Sequence, residues 1–196
     1  IFNRAYQYWA PILAIFTGAR QEEICSLRLA DFEEHQGVWC INVIEDIAEN
    51  KGLKNNASRR LIPLHPFLVD DLGILGHVQY LKKLNHTHFM HDLKPKENRY
   101  GPYVSRWFND RYKTKLGFPK HQGKDFHSFR HTFGTNLSHN GINDHSLRAL
   151  MGHAERSITF STYVKRGAPK KLLKDLVDHL DYGVDLGHLK GSKWVG

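Results

Sequence analysis

Apolar side chains recur every three or four residues at the start of the chain, a spacing typical of an amphipathic helix. The residues that form this stripe are Phe2, Tyr6, Trp9, Leu13 and Phe16. Thr17-Gly18 is expected to end the helix, because glycine readily adopts the left-handed conformation that closes a last turn. A second, shorter helix is predicted over residues 21–27, where Ile24 and Leu27 share one face.

Short runs of β-branched and aromatic residues follow, and these favour strands rather than helices. Residues 38–44 and 60–64 are the two runs, separated by turn-forming residues at 49–52 and at Asn55-Asn56. Several lysines and arginines lie in the segment between the runs. The pattern therefore predicts a small antiparallel sheet with an exposed basic hairpin.

Helical spacing returns after the sheet and continues through most of the remaining sequence. The predicted helices cover residues 66–84, 104–116, 126–140, 143–151, 157–164 and 169–180, with loops at 85–100 and 120–124. The Gly-rich segment from Asp181 is expected to pack on the surface or to fray. We therefore predict a mainly α fold with a small antiparallel β-sheet (α+β), in which residues 1–180 form the domain and 181–196 a C-terminal tail.

Composition supports a packed domain and an acidic partner. The chain has 196 residues, of which 40% are hydrophobic, and its formal charge is +8, so a core is expected and nucleic acid becomes a candidate partner. Cys25 and Cys40 lie in apolar surroundings without CxxC spacing and are expected to be core residues. The sequence shows neither a long apolar span nor a signal peptide. We expect a cytoplasmic protein whose sequence continues upstream of Ile1.

Two arginines stand in contexts that suit phosphate chemistry. Metal-free phosphoryl transfer needs preorganised cations around the phosphorus, and the planar guanidinium of arginine can hold two oxygens at once. Arg20 follows the predicted helix end, and Arg130 lies three residues after His127. On a helix, that spacing places an acid/base group beside a cation on one face. The alternative interpretation of the His127/Arg130 pair is an ordinary solvated basic helix surface.

A loop cluster of histidines offers a different chemistry. His86, His88 and His91 have spacing compatible with metal ligands, but only Asp92 accompanies them as a further ligand type. We therefore predict surface histidines here rather than a metal site, and a metal-dependent hydrolase is the weakest interpretation.

Three short motifs occur in order along the chain. They are TGARQEEI at residues 17–24, HSFRHTF at 127–133 and LMGH at 150–153, which Tyr163 follows. Together they resemble the TGxRxxE, HxLRHTF and LGH…Y motifs of the tyrosine recombinases, also called phage integrases. The resemblance covers essentially the whole chain as the family's catalytic domain. It also implies a DNA-binding N-terminal domain upstream of Ile1.

The resemblance implies a role for each motif residue. Arg20 and Arg130 would clamp the scissile phosphate, His127 would act as acid and base, His153 would donate a hydrogen bond to the phosphate, and Tyr163 would be the nucleophile. The interval from His153 to Tyr163 is ten residues, one longer than the commonest family spacing.

Further residues complete the implied site. The family lysine precedes an R-x-x-P-L-like stretch, which makes Lys54 the first choice and Lys51 the alternative. Glu23 would hold Arg20 or its helix by hydrogen bonds, and His131 would support the site from beside Arg130. Tyr182 is a poor alternative nucleophile, because it lies 29 residues past His153 and beside a glycine.

The activity implied by the resemblance is site-specific DNA recombination, as in prophage or genomic-island integrases that integrate and excise mobile DNA. Tyr163 would attack a phosphodiester to give a 3′-phosphotyrosyl link, while Lys54 protonates the departing 5′ oxygen. Because one phosphodiester replaces another, neither a cofactor nor a metal ion is required. A DNA-binding remnant without cleavage activity and a type IB topoisomerase-like enzyme remain as alternatives.

The resemblance also implies partners and a location. These are double-stranded DNA carrying attachment sites, a homotetramer in the synaptic complex and accessory DNA-bending proteins, with no membrane partner. As an isolated domain the chain is expected to be a monomer. We expect a bacterial or phage-encoded protein associated with the nucleoid.

Overall fold

The computed structural model describes residues 2–43, 60–118, 123–152 and 170–194. Its α-helices are α1 (Ala5–Thr17), α2 (Gln21–Cys25), α3 (Ile74–Lys83), α4 (Gly101–Arg106), α5 (Lys113–Lys115), α6 (Ser128–His139), α7 (Asp144–Met151) and α8 (Lys170–Asp178). Three strands, β1 (Phe32–His35), β2 (Val38–Val43) and β3 (Arg60–Pro63), form one sheet. The predicted fold class, mainly α with a small antiparallel sheet, is confirmed.

Helix α1 is the centre of the core. Its Trp9 and Leu13 are completely buried, and the helix packs against α2 and α6. It ends at Gly18, as the sequence predicts, with the backbone in the left-handed region at φ 59°. A Cβ atom at this position would lie 2.3 Å from the ring of Phe133 in α6. Glycine is therefore needed both for the turn and for the close approach of α6.

The sheet has the order β1–β2–β3, and both pairings are antiparallel. Ile41 of β2 lies opposite Phe32 on one side and opposite Ile62 on the other, and all three side chains are buried. Cys40 is buried too, as is Cys25, which agrees with the predicted core positions. Residues 44–59, where the basic hairpin with Lys51 and Lys54 is predicted, lie outside the described residues.

The prediction of one continuous helix over residues 66–84 is wrong, because the structure interrupts it. A π-helical turn (Phe67–Asp71) comes first, and Gly73 then adopts φ 56° immediately before α3 begins. Further on, α4 starts earlier than the predicted residue 104, because Pro102 suits a first helical turn. It continues through another π-helical stretch (Trp107–Tyr112) into α5.

The segment from Asp181 packs on the domain. The Tyr182 hydroxyl donates a hydrogen bond to the carbonyl of Ile15, and the Tyr8 hydroxyl donates to the carbonyl of Leu189 at 2.9 Å. Near the end, the indole N–H of Trp194 donates to a carbonyl close to the start of the chain at 3.3 Å. Of the two expectations for this tail, packing is therefore the observed one. Within the part of the chain described, no helix is long and apolar enough to cross a membrane.

Candidate active site

The turn between α1 and α2 holds Arg20 through Glu23. The backbone N–H of Arg20 donates to Glu23 Oε2 at 2.7 Å, and its Nη1 donates to Oε1 at 2.8 Å. The carboxylate thus caps the N-terminus of α2, where the free N–H groups and the helix dipole favour negative charge. The Arg20 side chain remains 42% exposed, so its guanidinium can meet a ligand.

Arg130 connects the ends of two other helices. Its Nη1 donates to the carbonyl of Gly18 after α1, and its Nη2 donates to the carbonyl of Met151 at the end of α7. The residue is buried, with 4% of its surface exposed. His127 directly precedes α6 and is exposed, and its ring centroid lies 4.8 Å from that of His131. The two described hydrogen bonds use two of the five N–H groups of the Arg130 guanidinium.

Three consecutive carbonyls at the C-terminal end of α7 each accept a hydrogen bond from a different arginine. The pairs are Arg60 Nε with the Leu150 carbonyl at 2.7 Å, Arg130 Nη2 with the Met151 carbonyl, and Arg20 Nη2 with the Gly152 carbonyl at 2.9 Å. The C-terminal end of a helix carries partial negative charge, which favours cations there. Gly152 closes α7 at φ 64°. This turn therefore gathers three cations that are far apart in sequence.

Arg60 also belongs to the site, although no sequence motif singles it out. It opens β3, and its Nη2 pairs with Glu23 Oε2 at 2.8 Å while only 5% of its side chain is exposed. The available signal was an arginine directly before the apolar run Leu61-Ile62, a poor place for a solvated cation. In the sequence it stands at the edge of the predicted basic hairpin, where a cation needs no separate explanation.

The electrostatics of this cluster follow from burial and from close charges. Burial would raise the pKa of Glu23, but hydrogen bonds and charge from Arg60, and then from Arg20, outweigh it and lower that pKa to about 2. Burial, followed by the positive charges of Arg60 and Arg20, lowers the pKa of Arg130 to about 10. Arg130 still carries its charge at neutral pH.

The pKa of His127 is lowered, first by desolvation and then by the charges of His131 and Arg130. A lowered pKa favours the neutral imidazole at neutral pH, and a neutral imidazole can accept a proton. The described part of the site therefore combines an exposed arginine, a second arginine and a neutral acid/base group. Such a set can bind a tetrahedral oxyanion and exchange a proton beside it.

The buried carboxylate of Glu23 should make stability fall in acid. Its pKa is depressed from an ordinary 4.5 to about 2, so its contribution is present above about pH 4.5 and lost as the pH falls towards 2. The shift corresponds to about 3 kcal/mol of unfolding free energy. We expect Glu23→Gln to be less stable than the unmodified protein at pH 7, with the difference shrinking as the pH falls. Urea unfolding across this pH range measures it, and parallel curves for the two proteins would contradict the assignment.

Three of the predicted site residues lie outside the described residues. They are Lys54, with its alternative Lys51, His153 and Tyr163. Their roles stay predictions that rest on the motifs. The described structure does bring Arg20 and Arg130 into contact with one turn and bonds Glu23 to Arg20, and it places His127 within electrostatic reach of both arginines.

Other candidates of the sequence analysis are engaged elsewhere. The rings of His86 and His91 are tilted, with centroids 4.7 Å apart, and together with His88 these residues are half-buried. Among the residues described, no group of three or more His, Cys, Asp or Glu side chains is arranged to hold a metal ion. The Tyr182 hydroxyl is bonded to a carbonyl of α1, and burial raises the pKa of this tyrosine, which makes it a poor nucleophile.

The sequence of this chain is similar to that of a curated tyrosine recombinase. Tyrosine recombinase XerA of Thermococcus onnurineus (strain NA1) is 22% identical over 148 residues, which cover 76% of this chain and 47% of the relative. The chain thus spans about half the length of this curated relative.

Two solved structures share the fold. The integrase from mycobacterium phage Brujita matches with a TM-score of 0.60 and 18% identity, over 100% of this chain and 58% of that one. The XerH site-specific recombinase bound to its difH substrate matches with a TM-score of 0.55 and 21% identity, over 82% of this chain and 42% of that one. The sequence model of the phage integrase family matches residues 3–170. This match confirms the resemblance read from the motifs, and the chain belongs to the phage integrase family.

Proposed function

We propose that this chain carries the catalytic domain of a site-specific DNA recombinase that cleaves and rejoins strands through a 3′-phosphotyrosyl intermediate. The biological role that fits best is integration and excision of mobile DNA, as in a prophage or genomic-island integrase. The observation that carries the proposal is the placement of Arg20 and Arg130 on neighbouring carbonyls of one turn.

The two arginines supply the electrostatic part of the reaction. Negative charge spreads over the non-bridging oxygens of the phosphate as the nucleophile attacks, and preorganised guanidinium groups stabilise that charge without reorganising. Arg20 is held by Glu23, and Arg130 is held by carbonyls from two helices. These contacts support a clamp in which both guanidinium groups are held by the protein itself.

The remaining residues of the proposed site would transfer protons. A tyrosine hydroxyl with a pKa near 10 is a weak nucleophile at neutral pH, and a neutral His127 would take its proton as Tyr163 attacks. Lys54 would protonate the departing 5′ oxygen, with His153 donating a hydrogen bond to the phosphate. The 5′ hydroxyl of a partner strand then reverses the step, and the exchange needs neither metal nor cofactor.

Duplex DNA is the proposed partner, and a homotetramer holding two duplexes is the proposed assembly. The formal charge of +8 favours a polyanion, and the related XerH recombinase was solved with its difH substrate. Accessory DNA-bending proteins are compatible with this assembly.

Two differently marked duplexes containing the DNA that flanks the gene test the proposal. We expect a protein–DNA adduct that survives denaturation, then strands joined between the two duplexes, in the presence or absence of a chelator. Relaxation of supercoils without strand exchange would favour the topoisomerase-like alternative, and binding without an adduct would favour the inactive remnant. Loss of cleavage on adding the chelator would contradict the metal-free mechanism.

A further inference from the structure

Arg60 is a buried cation to which the proposed reaction assigns no role. Burying a guanidinium is costly unless it is paired and hydrogen-bonded. Arg60 is almost completely buried, and its guanidinium joins three elements, because it belongs to β3 and contacts both α2 and the end of α7. A residue with this many bonds fixes the geometry of its partners.

The partner that matters is the carboxylate of Glu23, which Arg60 shares with Arg20. Arg60 approaches with both terminal nitrogens, Nη1 to Oε1 at 3.1 Å and Nη2 to Oε2 at 2.8 Å. Arg20 uses the same two oxygens, with Nη1 on Oε1 and its backbone N–H on Oε2. A bidentate contact fixes the plane of a carboxylate, so Arg60 determines where Oε1 points for Arg20.

The C-terminal turn of α7 fixes the other side of Arg60. Its Nε donates to the Leu150 carbonyl at 2.7 Å, and the Gly152 backbone approaches so closely that an added Cβ would lie 2.6 Å from Arg60 Nη1. The same turn accepts a hydrogen bond from Arg20. Arg20 is thus held at two points, Glu23 and the Gly152 carbonyl. Arg60 bonds to Glu23 and lies against the Gly152 backbone.

We propose that Arg60 is a positioning residue that orients the Arg20 guanidinium towards the scissile phosphate by holding the Glu23 carboxylate and the end of α7. This inference rests on the proposed function for its chemical consequence. Arg60 uses Nε, Nη1 and Nη2 on the Leu150 carbonyl and the Glu23 carboxylate, so we assign it a positioning role rather than a catalytic one. Lysine cannot replace it, because an ammonium group is a point charge without the paired N–H geometry.

A double-mutant cycle tests whether Arg60 acts through Arg20. We expect Arg60→Met and Arg60→Lys to slow single-turnover cleavage about 100-fold, the loss typical of a reacting group displaced by about an ångström, while DNA affinity changes little. In an Arg20→Ala background, the same substitutions should slow cleavage by less than about a further twofold. Losses that simply multiply would show that Arg60 acts independently and would overturn the inference.

Matched variants separate positioning from loss of charge. Arg4→Met removes an exposed guanidinium that donates to the Asp92 carbonyl at 3.4 Å, and this variant should cleave DNA at the unmodified rate. A substrate with a neutral methylphosphonate at the cleavage position no longer needs a full cationic clamp. The Arg60→Lys defect should therefore be much smaller on this substrate, whereas an equal defect on both substrates would contradict the inference.

A measurement that does not depend on DNA cleavage tests the inference separately from the proposed function. In protein labelled with ¹⁵N-arginine, the Arg20 guanidinium signal can be identified by its loss in Arg20→Lys. We expect Arg60→Lys to shift this signal strongly and Arg4→Met to leave it unchanged. If the unmodified protein forms no DNA adduct, the proposed function fails while this measurement still tests the positioning. An unshifted Arg20 signal in folded Arg60→Lys would overturn the inference.

Discussion

Replacing Tyr163 with phenylalanine is expected to abolish covalent linkage to DNA while leaving DNA affinity nearly unchanged. The substitution removes only the hydroxyl oxygen that would attack the phosphorus, so no phosphotyrosyl bond can form. A nicked suicide substrate, which traps the cleaved state because the released fragment diffuses away, gives the most sensitive measurement. We expect the adduct band on a denaturing gel to disappear completely.

Tyr182→Phe is the matched control for this experiment. It removes one hydroxyl from the packed tail, where it donates to the Ile15 carbonyl, and it should retain adduct formation. The comparison also covers the alternative nucleophile directly. An undiminished adduct with Tyr163→Phe, or a lost adduct with folded Tyr182→Phe, would move the nucleophile away from Tyr163.

Arg130→Lys is expected to slow cleavage by about 10²- to 10³-fold, although the charge is retained. The Arg130 guanidinium bridges the carbonyls of Gly18 and Met151 with two separate nitrogens. A lysine ammonium cannot span both carbonyls and present donors to a phosphate at the same time. Single-turnover cleavage, with DNA affinity measured in parallel, gives the result.

The control for this prediction is Arg148→Lys. Arg148 lies on the exposed side of α7 and pairs with Asp144 at 2.7 Å, an interaction that a lysine can retain. We expect this variant to cleave at the unmodified rate and to unfold at nearly the same temperature. A near-normal rate for Arg130→Lys would place Arg130 away from the phosphate.

The parts of the fold that sequence predicts well are those that local chemistry determines. Gly18 and Gly152 each end a helix, and in the structure each has a positive φ. The capping of α7 by Asn143, whose side chain accepts from the Ser146 N–H, follows from the same local preferences. Periodic spacing predicts the long helices because one face of each must be buried.

The parts that sequence misses depend on contacts made across the fold. β1 has the sequence Phe-Glu-Glu-His, with one buried residue, and it is a strand because it pairs with β2. Arg60 looks like one more hairpin cation until Glu23 and Leu150 are brought to it from other elements. The motifs identified Arg20, Glu23, His127 and Arg130. The structure bonds both arginines to one turn and Glu23 to Arg20, and it places His127 within electrostatic reach of the arginines. Lys54, His153 and Tyr163 stay predictions.

The acceptors at the end of α7 have a consequence for how the site tolerates sequence change. Main-chain oxygens of Leu150, Met151 and Gly152 receive the arginines, and no side-chain substitution can delete a main-chain oxygen. Drift at positions 150 and 151 is therefore limited by packing alone, whereas position 152 is limited by the backbone conformation and by the Arg60 guanidinium against it. Deep mutational scanning should find residues 150 and 151 permissive to apolar replacements and residue 152 restricted to glycine.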